Sequence, residues 1–190
     1  GFDPEPAVEA DAPAPVNTYG QSKLAGEEAI QALVEEHVIL RTSWVFGHHR
    51  TNFVKTMLSL ARNRDQLDVV ADEEGCPTGA GQVANTILNT ASMLHTECHP
   101  EWGIYHYAGR PCVSRSAFAR AIFREARHFE GLGTADIREI SASEFNSAAR
   151  RPGRVVLHGR RTRAVLGIRS PEWRPYLRNA LRELSGHERI

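Results

Sequence analysis

No stretch of the sequence has the glycine-rich form that holds a dinucleotide. A Gly-x-Gly-x-x-Gly or Gly-x-x-Gly-x-x-Gly run between a strand and a helix lets backbone amides approach a pyrophosphate. Neither occurs in the 190 residues. The nearest candidates, Gly75 to Gly81 and Gly131-Leu132-Gly133, lack the flanking strand and helix at the needed spacing and read as turns. Charge of one sign is lacking too: 23 basic residues balance 23 acidic ones, which leaves no compositional argument for nucleic acid or a membrane surface. No apolar run approaches the roughly 20 residues of a membrane span. The first residues are acidic and Pro-rich, without the basic and apolar segments of a secretory leader. Cysteine is scarce. Cys76, Cys98 and Cys112 are odd in number and widely spaced, which points to free thiols in a reducing cytoplasm rather than a disulfide framework.

What is present is an ordinary globular composition, 41% hydrophobic and 24% charged. Residues 1–16 hold four of the ten prolines and read as an extended loop. Asn17 is placed to cap a helix running to about Glu36, with Leu24, Ile30, Leu33 and Val34 as its apolar stripe. His37 to Arg41 reads as a short buried strand. Further helices are expected over 52–63, 82–95, 115–129 (capped by Ser114) and 160–166 (closed by Gly167). Strands are expected over 67–70, 102–108 and 137–140, with turns between. Ser170 and Pro171 read as the cap and first position of a last helix ending near Leu184. Helices alternating with strands imply an α/β fold. A parallel sheet needs partners on both sides of the His37–Arg41 strand, and the sequence supplies them on one side only.

The chemistry centres on Tyr19-Gly20-Gln21-Ser22-Lys23. Four residues apart, Tyr and Lys lie on one face of a helix. A cation beside a phenol favours the phenolate, which suits a proton donor in carbonyl reduction. By itself the pair is also what any solvated helix surface carries. Downstream stand Arg41-Thr42-Ser43-Trp44-Val45-Phe46-Gly47, then Asn52-Phe53-Val54, then Glu74-Gly75-Cys76-Pro77-Thr78. The residues after the strand sit where open α/β sheets bind ligands, at strand carboxyl ends. Asn52 opens a helix, whose free amides favour phosphate, and reads equally as a plain helix cap, the two roles being compatible. Arg150-Arg151-Pro152 offers planar guanidinium forks for a diphosphate, within a basic run that also reads as a solvated face. His95, Cys98 and His99 have no fourth ligand group and read as a polar loop; no metal ligands are assigned.

These motifs, in this order, resemble the extended short-chain dehydrogenase/reductases and, among them, the dTDP-4-dehydrorhamnose reductase family. The resemblance covers essentially the whole chain. It implies the C-terminal part of a Rossmann-like doubly wound fold (residues 1–50, with the Tyr-x-x-x-Lys helix) plus a small α/β substrate-binding domain (mainly 51–190). The family's first portion, on the order of 100 residues at usual domain size, is not matched. The implied activity is NADPH- or NADH-dependent reduction of dTDP-4-dehydro-L-rhamnose, with this chain inactive alone. Implied catalytic residues are Tyr19 as general acid and Lys23; implied cofactor contacts are Tyr19, Lys23, Thr42 and Trp44. Implied substrate contacts are Trp44, Phe46, Asn52, Phe53 and Arg151. Some family members bind magnesium, and a homodimer is compatible with the exposed sheet edge. No membrane or nucleic-acid partner is implied. After Arg-Pro the family pattern Asn-Ser-x-Leu-Asp is replaced by Gly153-Arg154-Val155-Val156-Leu157-His158. Two other readings share the fold: a non-catalytic relative such as a methionine adenosyltransferase regulatory subunit, and a nucleotide-sugar epimerase or dehydratase.

Overall fold

The computed structural model describes residues 5–94, 101–145, 147 and 149–186. His95, Cys98 and His99, read as a polar loop, lie outside the described residues. Six helices and nine strands occupy the rest: α1 Thr18–Leu33, β1 Val38–Arg41, β2 Val45–Phe46, α2 Phe53–Ala61, β3 Gln66–Val70, β4 Glu74–Gly75, β5 Thr78–Gly79, α3 Ala80–Leu94, β6 Gly103–His106, β7 Val113–Ser114, α4 Arg115–Ala126, β8 Asp136–Ile140, β9 Arg154–Val155, α5 Arg160–Leu166 and α6 Arg174–Gly186. Three parallel pairs, β1–β6, β2–β5 and β3–β8, form separate small sheets, and β7–β4–β9 is mixed. The mixed α/β class with parallel pairing agrees with the sequence.

Local signals set the helix starts. Asn17 Oδ1 accepts from the Gly20 amide at 2.8 Å, Asn52 Oδ1 from the Lys55 amide at 3.3 Å, and Ser114 Oγ from the Ala117 amide at 3.1 Å. Each ties down an amide that has no partner within its helix. Gly167, at φ 66°, closes α5 in the left-handed region that glycine enters without a Cβ penalty.

The last helix corrects the expectation. It begins at Arg174, not at Pro171. The Arg110 amide donates to the Pro171 carbonyl at 2.7 Å, and Arg110 forms a bridge with Glu172. This long-range pairing keeps residues 171–172 extended, overriding the Ser170–Pro171 start signal. Trp173 then drops into the core, 1% exposed, with its indole N–H donating to the Pro111 carbonyl at 2.8 Å.

The main core lies where α2, α4, α6 and β3 meet. Val54, Leu58, Phe118, Ile122, Trp173, Leu177 and Leu181 pack there. Glu125 on α4 is buried and joined to Arg178 of α6 at 2.9–3.0 Å. Truncating a core aromatic such as Phe118 costs about 3–5 kcal/mol in comparable settings.

α1 behaves differently. It buries no residue, and Leu33, at 84%, is one of three exposed members of its expected stripe, with Ile30 and Val34. It stops at Leu33, short of Glu36. The described residues offer its apolar side nothing to pack on, and β1 pairs on one side only. Polar contacts hold α1 instead. Arg41 Nε donates to both Glu27 oxygens at 3.0 Å, and Asn17 Nδ2 donates to the Arg150 carbonyl at 2.9 Å.

The expectation of free thiols is also corrected: Cys76 and Cys112 form a disulfide, with Cα atoms 4.1 Å apart. Antiparallel pairing of β4 with β7 sets Gly75 opposite Val113. The neighbouring cysteines are thereby brought together across 36 residues of sequence.

Candidate functional site

Two groups of predicted residues end up in different surroundings. Tyr19 and Lys23 stand on the open face of α1. Tyr19 is 72% exposed, and Lys23 Nζ lies 5.4 Å from its ring centre. The one-turn spacing therefore does bring phenol and ammonium together.

β1 delivers Thr42, Ser43 and Trp44 beyond its carboxyl end. Thr42 Oγ1 is buried with no hydrogen-bond partner among the described residues. Ser43 Oγ donates to the Val155 carbonyl at 3.1 Å and accepts the Cys76 amide at 3.2 Å. This locks the strand end to β9 and to the Glu74–Thr78 loop. Trp44 has φ 43°, a left-handed conformation that costs a non-glycine residue of order 1–3 kcal/mol. It is held there by its surroundings. Gly75 lies beneath the indole, Arg115 stacks its guanidinium 4.3 Å from a ring centre, and Phe118 stacks at 6.4 Å.

A cavity of about 390 Å³ opens beside this cluster, between α2 and β3. Phe53, Met57, Val70 and Phe145 give it apolar walls, and Arg115 and Arg151 supply two cations. Asp68 is also on the wall. Arg138 donates to it from Nε at 2.6 Å and holds its carboxyl below the usual range. That carboxylate stays ionised, with the paired Arg138 offsetting its charge beside the cavity. Arg115 is a shared element: it lines the cavity, stacks on Trp44, lies 5.2 Å from the Phe53 ring centre, and donates to buried Glu73 at 2.7 Å. Flat apolar walls with two guanidiniums suit a planar base joined to phosphate.

Phe53 and Arg151 both line this cavity. Three other predicted substrate contacts do not line it, and Trp44 among them sits beside the cavity, stacked on Arg115. Phe46 is 1% exposed and packs against Phe118 and Tyr176 at 5.5 and 5.8 Å, so it belongs to the core. Asn52 spends its amide on the loop: Nδ2 donates to the Gly47 carbonyl at 2.8 Å while Oδ1 caps α2. It is a cap and a buckle, absent from the cavity wall. Arg115 and Phe145 were not foreseen. In sequence Arg115 is only the residue after a helix cap, and no local pattern marks Phe145. Among the described residues no group of three His, Cys, Asp or Glu side chains is placed to hold a metal ion. No helix among them is long and apolar enough to cross a membrane.

The two parts of the site are joined at one point. The Asn17 side chain caps the helix that carries Tyr19 and also donates to the carbonyl of Arg150, next to Arg151 of the cavity wall.

Such an arrangement, parallel strand pairs with helices between them and a Tyr-x-x-x-Lys helix bonded to a cavity rim, has the Rossmann-type α/β layout of the short-chain dehydrogenase/reductase class. Residues 1–185 match the RmlD substrate binding domain. The chain belongs to that family. It is 40% identical over 174 residues to a dTDP-4-dehydrorhamnose reductase of Sinorhizobium fredii, covering 91% of this chain and 58% of the relative. Among solved structures it superposes on a dTDP-4-dehydrorhamnose reductase from Clostridium acetobutylicum with TM-score 0.85, at 30% identity, over 97% of this chain and 61% of that one. A second, from Bacillus anthracis in complex with NADP, gives 0.77 at 34% identity, over 93% and 59%. The chain spans about three-fifths of the length of these relatives.

Proposed function

We propose that this chain is the substrate-handling part of an NADPH-dependent reductase that converts dTDP-4-dehydro-L-rhamnose to dTDP-L-rhamnose. The observation that carries the reading is the Asn17 link. It fixes a proton-donor helix to the rim of a cavity built for a base and a diphosphate. The relatives at 40% identity carry the name of this reductase, and the Bacillus anthracis structure contains NADP.

In this reading Tyr19 gives its proton to the C4 oxygen, and Lys23, 5.4 Å from the ring centre, stabilises the phenolate left behind. Phe53 and Phe145 sandwich the thymine, Arg115 and Arg151 bind the diphosphate, and Trp44 covers the sugar. NADPH, when bound, supplies the hydride. The residues present fit its nicotinamide-ribose end: the Lys23 ammonium takes a ribose hydroxyl, and the buried Thr42 hydroxyl, without a partner among the described residues, awaits a polar group. They do not fit its pyrophosphate, for which the sequence has no glycine-rich cradle. Residues 1–50 then belong to a dinucleotide-binding domain and 51–190 mainly to the sugar-nucleotide domain.

The reading carries a cytoplasmic location with it, where NADPH and nucleotide-sugars are available. It also includes pairing of two copies, supported by exposed Ile87 and Leu88 on α3. The test is NADPH consumption with dTDP-4-dehydro-L-rhamnose by the protein that carries this chain, compared with its Tyr19→Phe variant. A drop of about 10²–10⁴-fold is expected from loss of the general acid. Unchanged turnover in the variant would remove Tyr19 from the mechanism.

A further inference from the structure

A second cavity, of about 920 Å³, contains none of the residues discussed above as reductase machinery. It is bounded by the loop 109–112, α5 and the segment leading to α6, and its size falls in the range of roughly 300–1,000 Å³ that holds small-molecule ligands. Arg110, Arg160, Arg163 and Arg169 line it. Most arginines near a carboxylate in this chain are paired, as Arg41, Arg115, Arg120, Arg138, Arg154, Arg161 and Arg178 are. These four form no ion pair among the described residues. The one carboxylate on the wall, Glu172, is engaged by Arg174 at 2.8 Å. His158 accepts the Arg160 amide through Nδ1 at 3.1 Å. Four guanidiniums without an ion pair among the described residues thus share one concave site.

The same wall includes Cys112, one half of the disulfide. The other half, Cys76, is 0% exposed. A thiolate exchanges with a disulfide by attack on one sulfur, and access decides which. Here only Cys112 faces the cavity. Guanidiniums lining the same cavity draw in an anionic nucleophile and, in the second exchange, stabilise Cys112 as the departing thiolate.

We propose that this cavity docks a small thiol bearing carboxylates, which exchanges with the Cys76–Cys112 disulfide by attack on Cys112. The incoming thiolate forms a bond to Cys112 Sγ as the Cys76–Cys112 bond breaks. The electron pair passes to Cys76 Sγ, which takes a proton from water. A second equivalent of the same thiol attacks its own sulfur in the mixed disulfide and releases Cys112 as a thiol. Two small thiols are oxidised to one disulfide, and one protein disulfide is reduced to two thiols.

The exchange reaches the reductase site through two contacts. The Cys76 amide holds Ser43 Oγ, and adjacent Gly75 lies against Trp44. Opening the disulfide frees the loop beneath that indole.

The test uses the oxidised chain, glutathione as the anionic probe and cysteamine as a cationic one, at matched thiolate concentration. Intact-protein mass after alkylation follows the reaction, and peptide mapping locates the adduct. Glutathione is expected to react faster by about tenfold or more at low salt, with the advantage shrinking as salt screens the guanidiniums. The mixed disulfide is expected on Cys112, and Arg163→Ala/Arg169→Ala should bring the glutathione rate down to that of cysteamine. Equal rates for the two thiols in the unmodified protein would overturn the proposal, as would adducts confined to Cys98 or a chain that forms no Cys76–Cys112 bond in air. No nucleotide is involved, so the outcome is independent of the reductase reading.

Discussion

Gly75 lies flat against the indole of Trp44: a Cβ built on this glycine would stand 2.2 Å from Cε2 of the tryptophan. No side chain fits there unless Trp44 moves. The glycine therefore sets the height at which the indole sits under the Arg115 guanidinium, beside the cavity that Arg115 lines. Gly75→Ala is expected to displace Trp44, to cost about 1–3 kcal/mol as overpacking does, and to weaken nucleotide-sugar binding. Urea denaturation and tryptophan fluorescence check both parts. An alanine variant with unaltered fluorescence and stability would mean that the indole is free to move.

Arg115 carries two loads, and they separate by mutation. Its side chain pairs with Glu73, which is 6% exposed. Arg115→Ala strands that carboxylate, and losing one partner of a buried pair is strongly destabilising, about 3–5 kcal/mol. The double variant Arg115→Met/Glu73→Gln should recover much of the stability while leaving ligand binding impaired, since the cavity still lacks its cation. If the double variant recovers binding as well, the guanidinium contributes only to the fold.

Asn17→Ala removes a helix cap and the bond to the Arg150 carbonyl together. Loss of the cap alone costs about 1 kcal/mol. Asn17→Asp retains a capping oxygen but not the donor, so it isolates the tether. The account expects Asn17→Asp to keep most of the stability and to lower turnover in the protein that carries this chain, since the Tyr19 helix is no longer fixed to the pocket rim.

His106 sets a pH dependence. It is 2% exposed, its amide donates to Glu9 and its Nδ1 meets the Ala7 carbonyl at 3.2 Å. Burial pushes its pKa below the ordinary value of 6.5, against the opposing pull of Glu9. The unfolded chain then takes up a proton that the folded chain refuses. Stability contributed by neutral His106 is complete above about pH 6.5 and is lost as pH falls through the depressed folded value. Denaturant midpoints should fall between pH 7.5 and 5.5 (about one unit either side of that value), and the slope should flatten in His106→Asn. An equal slope in the variant would assign the acid sensitivity to other groups.

What could be read in the sequence was local. Asn17, Asn52 and Ser114 announced their helices because a cap needs only an oxygen and the next turn. The Tyr19–Lys23 pair follows from helical period alone. Features made by chain segments distant in sequence stayed hidden. Arg115 meets Trp44 only once the α4 start is packed beside the end of β1. Cys76 meets Cys112 only through the β4–β7 register, so counting cysteines misled. Phe46 sits two residues from Trp44, yet it is fully buried while Trp44, at φ 43°, stays half-buried at the core edge beside Arg115; neither the turn nor its outcome is written in residue type. The Ser170–Pro171 start signal was sound locally and lost to the pairing with Arg110.

The most direct measurement of the central claim is calorimetric titration of this chain with dTDP-L-rhamnose, alongside its Arg151→Ala variant. The account predicts binding to the unmodified chain that weakens about tenfold or more in the variant, as expected when a charge-assisted bond of roughly 1.5–3 kcal/mol is removed. Absence of binding by the folded chain, or binding that ignores Arg151, would contradict the placement of the nucleotide-sugar in the cavity between Phe53 and Arg151.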